Sequence, residues 1–311
     1  MIALLRKEIS IFFSKLIGYL IIGIFLLINS ILLWSDFSDI NILKYGYADM
    51  DIFFTTAPLF FLFFIPAICM RVFSEEYTLG TIETLITKPI TSLKITLAKF
   101  LAVFILVIFA ILPTLIYVVS IYYLGERVGN LDLAGIIGSY FGLFFLCALF
   151  SSISIYASSL ANNQIICFSL AILLNTLFYF GFDLISELSF FNNFNFIIKK
   201  IGISFHYEMM SKGLINLSDI IYFLSFTILF IKLTELVITE KKKIMNSNQY
   251  ISGGLLIVLV LSINILSGYI NLNLDLTSDK KYSISKESIS IINSLDDKLF
   301  IKVYLDGDFP A

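Results

Sequence analysis

One histidine, one tryptophan, three cysteines and five prolines are all that 311 residues hold of those four types, and only 14% of the chain is charged. These scarcities exclude much. With His206 as the single histidine there is no H-E-x-x-H zinc site, and the G-x-x-x-x-G-K-[ST] phosphate loop and the G-x-S-x-G elbow are both absent, so catalysis has no evident home. His206 itself reads as a structural or interfacial residue, because a general base needs partners that the sequence around it does not offer. Cys69, Cys147 and Cys167 lie inside apolar runs without metal-ligand spacing. That predicts free thiols, no disulfide, no metal and no cofactor. The net charge of −2 averages segments of opposite sign. It gives no ground for a nucleic-acid partner, and none is expected.

What the chain has in excess is apolar surface: 59% of residues are hydrophobic, 32 are Phe and 16 Tyr, and mean hydropathy is +0.94. No soluble domain needs that much to fill a core, so the chain is an integral membrane protein of the all-α polytopic class. Leu16 to Trp34 gives 19 uncharged residues, about 29 Å of helix at ~1.5 Å per residue, enough to cross a bilayer. Further spans are predicted near 52–70, 100–124, 133–160, 165–182 and 220–238, the last holding Lys232 and Glu235 at a spacing that lets them pair on one face. A linker at 244–250 and a seventh span at 251–274 follow. Residues 2 to 14 place Ile2, Leu5, Ile9 and Phe12 on one face and Arg6, Lys7 and Glu8 on another, the pattern of a helix lying along a membrane surface or of an ordinary charged start to the first span. No cleavage site follows, so no removable signal peptide is read.

Lys and Arg collect before the first span (Arg6, Lys7, Lys15), between the second and third (Arg71, Lys88, Lys94, Lys99) and after the sixth (Lys241 to Lys243). By the positive-inside rule the N-terminus is cytoplasmic, and seven spans put residues 275–311 outside. There Ser285 is a predicted N-cap of a helix burying Ile289, Ile292 and Leu295, with Ile284 stapled to Ile289, and 299–305 reads as a strand. One helix and one strand bury no core, so this part is expected to be the start of an extracytoplasmic α/β domain belonging to a longer chain. Phe190 to Ile198 is expected to dip back into the membrane.

Polar residues within the spans are few: Asn29, Asn175, Asn264 and, at a span end, Asp183. They suit interhelical hydrogen bonds as well as a path. Gly135, Gly138 and Gly142 form a small-residue strip for close helix packing, within one subunit or between two. Pro58, Pro66 and Pro113 predict kinks.

The most specific stretch is Arg71 to Pro89, charged and Gly-punctuated between two spans. Gly80 breaks the chain's helical path, and Thr81 to Lys88 is predicted as a short helix with Thr81 as a candidate N-cap, Glu83 in its first turn and Ile82, Leu85 and Ile86 on its apolar side. Ser74-Glu75-Glu76, then Leu79-Gly80-Thr81-Ile82-Glu83-Thr84-Leu85 and Pro89-Ile90-Thr91, resemble the E-[EKR]-x-x-G-T-[IL]-E-x-L-x-x-x-P-[IV] signature of type-2 ABC transporter permeases. The resemblance implies a six-helix permease over about residues 1–243, pairing with a second permease copy and with separate cytoplasmic ATPase subunits. It makes Glu75, Glu76, Gly80, Thr81, Ile82, Glu83 and Leu85 the ATPase-docking surface. Phe205-His206-Tyr207-Glu208 and Lys212-Gly213-Leu214-Ile215 are similar to the last outer loop of the gliding-motility ABC permeases of Bacteroidetes, and residues 250–311 resemble the start of their single-span companion. On that likeness the chain is a fused exporter subunit of the inner membrane, without catalysis of its own. A secondary transporter is disfavoured by the lack of intramembrane carboxylates, and a displayed sensor or scaffold by the number of spans.

Overall fold

The computed structural model describes residues 1–294 apart from 36–40, 46–48, 126–127, 189, 191–193, 242–246, 270–271, 278–279, 281–282 and 284–285. Helix α1 (Ile2–Ser14) meets α2 (Leu16–Trp34) at an elbow where Lys15 is extended, with φ −104° and ψ 136°. Gly18 allows the elbow to close tightly, since a Cβ there would lie 2.4 Å from the Phe12 carbonyl oxygen. After α3 (Ile42–Tyr45) come α4 (Asp51–Cys69), the short α5 (Ser74–Thr78) and α6 (Thr81–Ile86), and α7 (Ser92–Ile111). A 3-10 turn at Leu112–Thr114 joins α7 to α8 (Leu115–Leu124) at Pro113, whose missing N–H breaks the helical ladder. Pro58 and Pro66 sit inside α4, which continues through both.

Helix α9 (Leu133–Leu160) is the axis of the bundle and packs against α4, α7, α10 (Gln164–Thr176) and α14 (Leu217–Lys241). Its small residues explain that role. Gly135, Gly138, Gly142, Ala148, Ala157 and six serines are buried along it, so neighbouring helices approach closely. Several of its hydroxyls bond within the helix, Ser139 donating to Gly135 O at 2.9 Å and Ser152 to Leu149 O at 2.7 Å, while Asn175 donates to Ser154 Oγ at 2.8 Å. A π-helical turn at Leu177–Gly181 carries α10 into α11 (Phe182–Ser186), and α12 (Asn195–Lys199), α13 (Ile203–Met210) and strand β1 (Leu214–Asn216) lead to α14. Helix α15 (Ser247–Ser267), strand β2 (Asn273–Asp275) and α16 (Lys286–Asn293) complete the described chain.

Among the described residues six helical stretches are long and apolar enough to cross a membrane: Leu16–Trp34, Asp51–Thr78, Ser92–Leu124, Leu133–Leu160, Gln164–Ser186 and Leu217–Glu240. These are the six expected spans, but the third begins eight residues before the uncharged run because Thr91 caps it, its side chain accepting from Lys94 N at 3.4 Å. Lys94 and Lys99, read as loop residues, therefore lie in a helix. The helix around the expected seventh span begins at Ser247 and ends at Ser267, with Gly253–Ser267 as its apolar part. Beyond it, β2 pairs antiparallel with β1, Ile215 opposite Leu274. In α16 the expected apolar face is turned outward, Ile289 being 44% and Ile292 55% exposed, because no second layer of described structure covers it. Ile284, Ser285, Leu295 and the 299–305 strand lie outside the described residues. Phe190, Phe194, Phe196 and Ile197, in the segment expected to re-enter the membrane, are all exposed.

Candidate functional site

The segment from Arg71 to Pro89 sits at the end of the bundle where α1, the last turn of α4 and the first turns of α7 converge. Met70 through Phe73 turn off the end of α4, and α5 and α6 follow as two short helices. Gly80 separates them with φ +68° and ψ 3°, the left-handed conformation that favours glycine. It occupies the N-cap position, and Thr81 is the first helical residue, its hydroxyl reaching back 3.5 Å to Glu76 O. Thr81 is thus not the cap, and no side chain caps α6. The helix ends at Ile86, with Lys88 and Pro89 just beyond it.

A helix this short has no stability of its own, so its position is set by what it packs on. Ile82 and Leu85 are buried at 8% exposure each and join the main apolar core, whereas Leu79 is 67% exposed and Gly80, Thr81, Glu83 and Thr84 also face out. The seven residues read as one surface are therefore divided: Ile82 and Leu85 anchor α6 to this chain, and Gly80, Thr81 and Glu83 are presented to solvent. Glu75 and Glu76 are turned the other way, toward lysines.

Those lysines belong to a charge cluster, centred on the buried Lys99, that the loop motif gave no hint of. Lys99 is fully buried; its ammonium donates to Glu8 Oε1 at 3.0 Å and to Val72 O at 2.6 Å, and lies 4.9 Å from the centre of the Phe73 ring. It also stands 3.0 Å from Glu76 Oε2, an ion pair whose angle lies outside hydrogen-bond geometry. Lys7 pairs with Glu76 Oε1 at 3.1 Å, and Lys15 pairs with Glu75. Three elements distant in sequence, α1, the 71–78 segment and α7, are so tied through charge. Two further bonds fix the segment to the end of α9: Phe73 N donates to Ser158 Oγ at 3.2 Å and Thr78 Oγ1 to Asn162 O at 2.9 Å. The signal available in the sequence was a lysine and a glutamate, Lys99 and Glu8, each close to a long uncharged run, but nothing local says that they meet.

The opposite end is closed by the 201–219 segment. Gly138 and Gly142 lie against it, for a Cβ at Gly138 would be 2.9 Å from Gly213 Cα and one at Gly142 would be 2.8 Å from Met210 Cβ. Gly213 itself, at φ +82°, approaches Gly135 equally closely. The strip thus packs within one subunit. His206 bridges Asp219 Oδ1 (2.7 Å) and Lys200 O (2.8 Å) and stacks on Tyr222 at 3.9 Å, while Asn216 donates to Asp219 Oδ2 at 2.9 Å. The histidine does have a carboxylate partner, thirteen residues on, and the pair is buried. Tyr207 donates to Phe54 O at 2.7 Å, and burial holds its phenol well above the ordinary value, so it stays a neutral donor. No group of three metal-binding side chains occurs among the described residues.

A sequence model for ABC-2 family transporter proteins matches residues 6–183, from the amphipathic helix through the fifth span. No curated protein and no solved structure matches the chain. The matched stretch covers more than half of the chain and contains both the Gly80 turn and the Lys99 cluster, and the chain belongs to the ABC-2 family of transporter proteins, as a membrane-spanning transport component.

Proposed function

We propose that this chain is the permease subunit of an ABC exporter, that it works as a pair with a second permease copy, and that a separate cytoplasmic ATPase drives it by docking on the outward face of α6. The observation that carries the reading is the presentation of Gly80, Thr81 and Glu83 at the surface by a helix whose other side, Ile82 and Leu85, is locked into the permease core. A force applied to Glu83 then reaches the spans through packed side chains and through the Glu75 and Glu76 ion pairs. The same end gathers Lys7, Lys15, Arg71, Lys94 and Lys99, which by the positive-inside rule supports a cytoplasmic N-terminus. Helix α15, with Leu255, Val258 and Leu259 each more than half exposed, is proposed as a seventh span, its 21 residues giving about 31 Å. Export toward the cell surface, as in gliding-motility permeases, is supported by the outer-loop residues Phe205 to Glu208 and Lys212 to Ile215. The test is co-purification with an ATPase that carries a phosphate loop, followed by Glu83→Lys. The variant should insert normally and lose stimulation of ATP hydrolysis; retained stimulation refutes the docking face.

A further inference from the structure

Beneath the elbow between α1 and α2 lies a cavity of about 70 Å³, walled by Phe12 and Ile21 from the elbow, Ile68 from α4 and Leu106 from α7, with Arg71 and Lys99 at its polar end. On this measure a water needs about 10–15 Å³, so the space takes a group of about five heavy atoms and not a whole drug-sized molecule. The charges around it do not balance. The cations are Lys7, Lys15, Arg71 and Lys99 and the carboxylates Glu8, Glu75 and Glu76; the three lysines hold all three carboxylates. Arg71 is left over. Among the described residues it makes no ion pair, and its Nε is buried without a hydrogen-bond acceptor. A buried donor of a charged group left unpaired is costly, and a guanidinium is shaped to take two oxygens of one phosphate.

The surface beside the elbow decides what bears that phosphate. Ile11 and Ile17, which line the cavity, are 36% and 40% exposed, and next to them Leu16 is 76% and Leu20 49% exposed on the outer side of the same elbow. Free phosphate makes no use of such a surface; an acyl chain does. We propose that this elbow is a binding site for one anionic glycerophospholipid, its phosphate received by Arg71 and its acyl chains lying along Ile17 and Leu20. The lipid completes the cluster's charge balance and fixes α1 against the spans. The site is independent of which ATPase docks and of the exported cargo.

The experiment uses the full chain in detergent, stripped of lipid and offered phosphatidylglycerol, diacylglycerol or excess inorganic phosphate, with bound lipid counted by native mass spectrometry. Wild type should retain one phosphatidylglycerol per chain and no diacylglycerol, and inorganic phosphate should not displace it. Arg71→Gln should weaken retention about tenfold or more, as expected for loss of a charge-assisted pair, and Arg71→Lys by less. Ile17→Trp, at a position 40% exposed, should lower retention without disturbing the core, and so serves if the arginine variants fail to fold. Equal retention by wild type and Arg71→Gln, equal binding of diacylglycerol, or displacement by inorganic phosphate overturns the proposal.

Discussion

Replacing Lys99 with Met keeps the length of the side chain and removes its charge, which isolates what the ammonium contributes. In the folded protein that ammonium is fully buried, 3.0 Å from each of two carboxylates whose side chains are 14% (Glu8) and 11% (Glu76) exposed. At an effective dielectric constant near 20, each contact amounts to about 5.5 kcal/mol of attraction, most of it offset by the cost of taking three charges out of water. Losing the cation reverses the arithmetic. Glu76 keeps Lys7, but Glu8 has no other partner in the cluster and is left as a largely buried, unpaired carboxylate, so the expected loss is the ~3–5 kcal/mol typical of breaking a buried pair from one side. The assay is thermal or denaturant unfolding of the purified protein in detergent. A double variant, Glu8→Gln with Lys99→Met, removes the stranded carboxylate and should recover at least about 1 kcal/mol of that loss, a coupling that two independent sites would not show. If the single variant is as stable as the wild type, or if the two substitutions simply add, the cluster does not hold α1 to the loop and the mechanical reading of this end of the bundle is wrong.

Gly80→Ala tests the turn: nothing lies within 4 Å of the Cβ it would add, so the cost is backbone alone, about 1–2 kcal/mol for φ +68°, read as a lower melting temperature and weaker ATPase stimulation. Gly138→Val pushes side-chain atoms into the backbone of Gly213, 2.9 Å from the first of them, and should cost about 1–3 kcal/mol by overpacking; a neutral result would mean that the 201–219 segment sits elsewhere. His206→Ala strips Asp219 of one partner and Lys200 O of another, and about 1–3 kcal/mol should be lost in unfolding measurements, with Tyr222 accessible to modification where the ring had stacked on it.

The spans were legible because insertion physics acts on single segments. A run such as Leu16–Trp34 is long, uncharged and apolar whatever it packs against, and the helix is found at those residues. The third span shows the limit of the rule: the uncharged run begins at Phe100, but the helix begins at Ser92, because a helix does not stop where the bilayer does and Lys99 is neutralised by Glu8 and Glu76 rather than by water. The loop motif was legible for the opposite reason, a left-handed turn at Gly80 and a short helix being local events. What the loop's seven residues face was not. Glu75, Glu76 and Glu83 are the same residue type within nine positions, and only the approach of α1 and α7 from far along the chain turns the first two inward. His206 and Asp219 illustrate the same point at the other end, for thirteen residues and a helix boundary separate partners that touch.

That division of the acidic residues carries a mechanical consequence. A six-residue helix such as α6 cannot transmit force unless something rigid stands behind it, and apolar packing through Ile82 and Leu85 alone would let it slide, since such contacts are not directional. The directional contacts are the ones one helix earlier: Glu75 to Lys15 at the elbow, Glu76 to Lys7 and Lys99, Phe73 N to Ser158, and Thr78 to Asn162. They reach α1, α7 and the end of α9, and α7 and α9 in turn pack on each other and on α4 and α14. On the proposed docking at α6, a push delivered at Glu83 would be resisted at α5 and passed to α7 and α9 together, so loosening α5 should uncouple transport from ATP hydrolysis even with the face of α6 untouched.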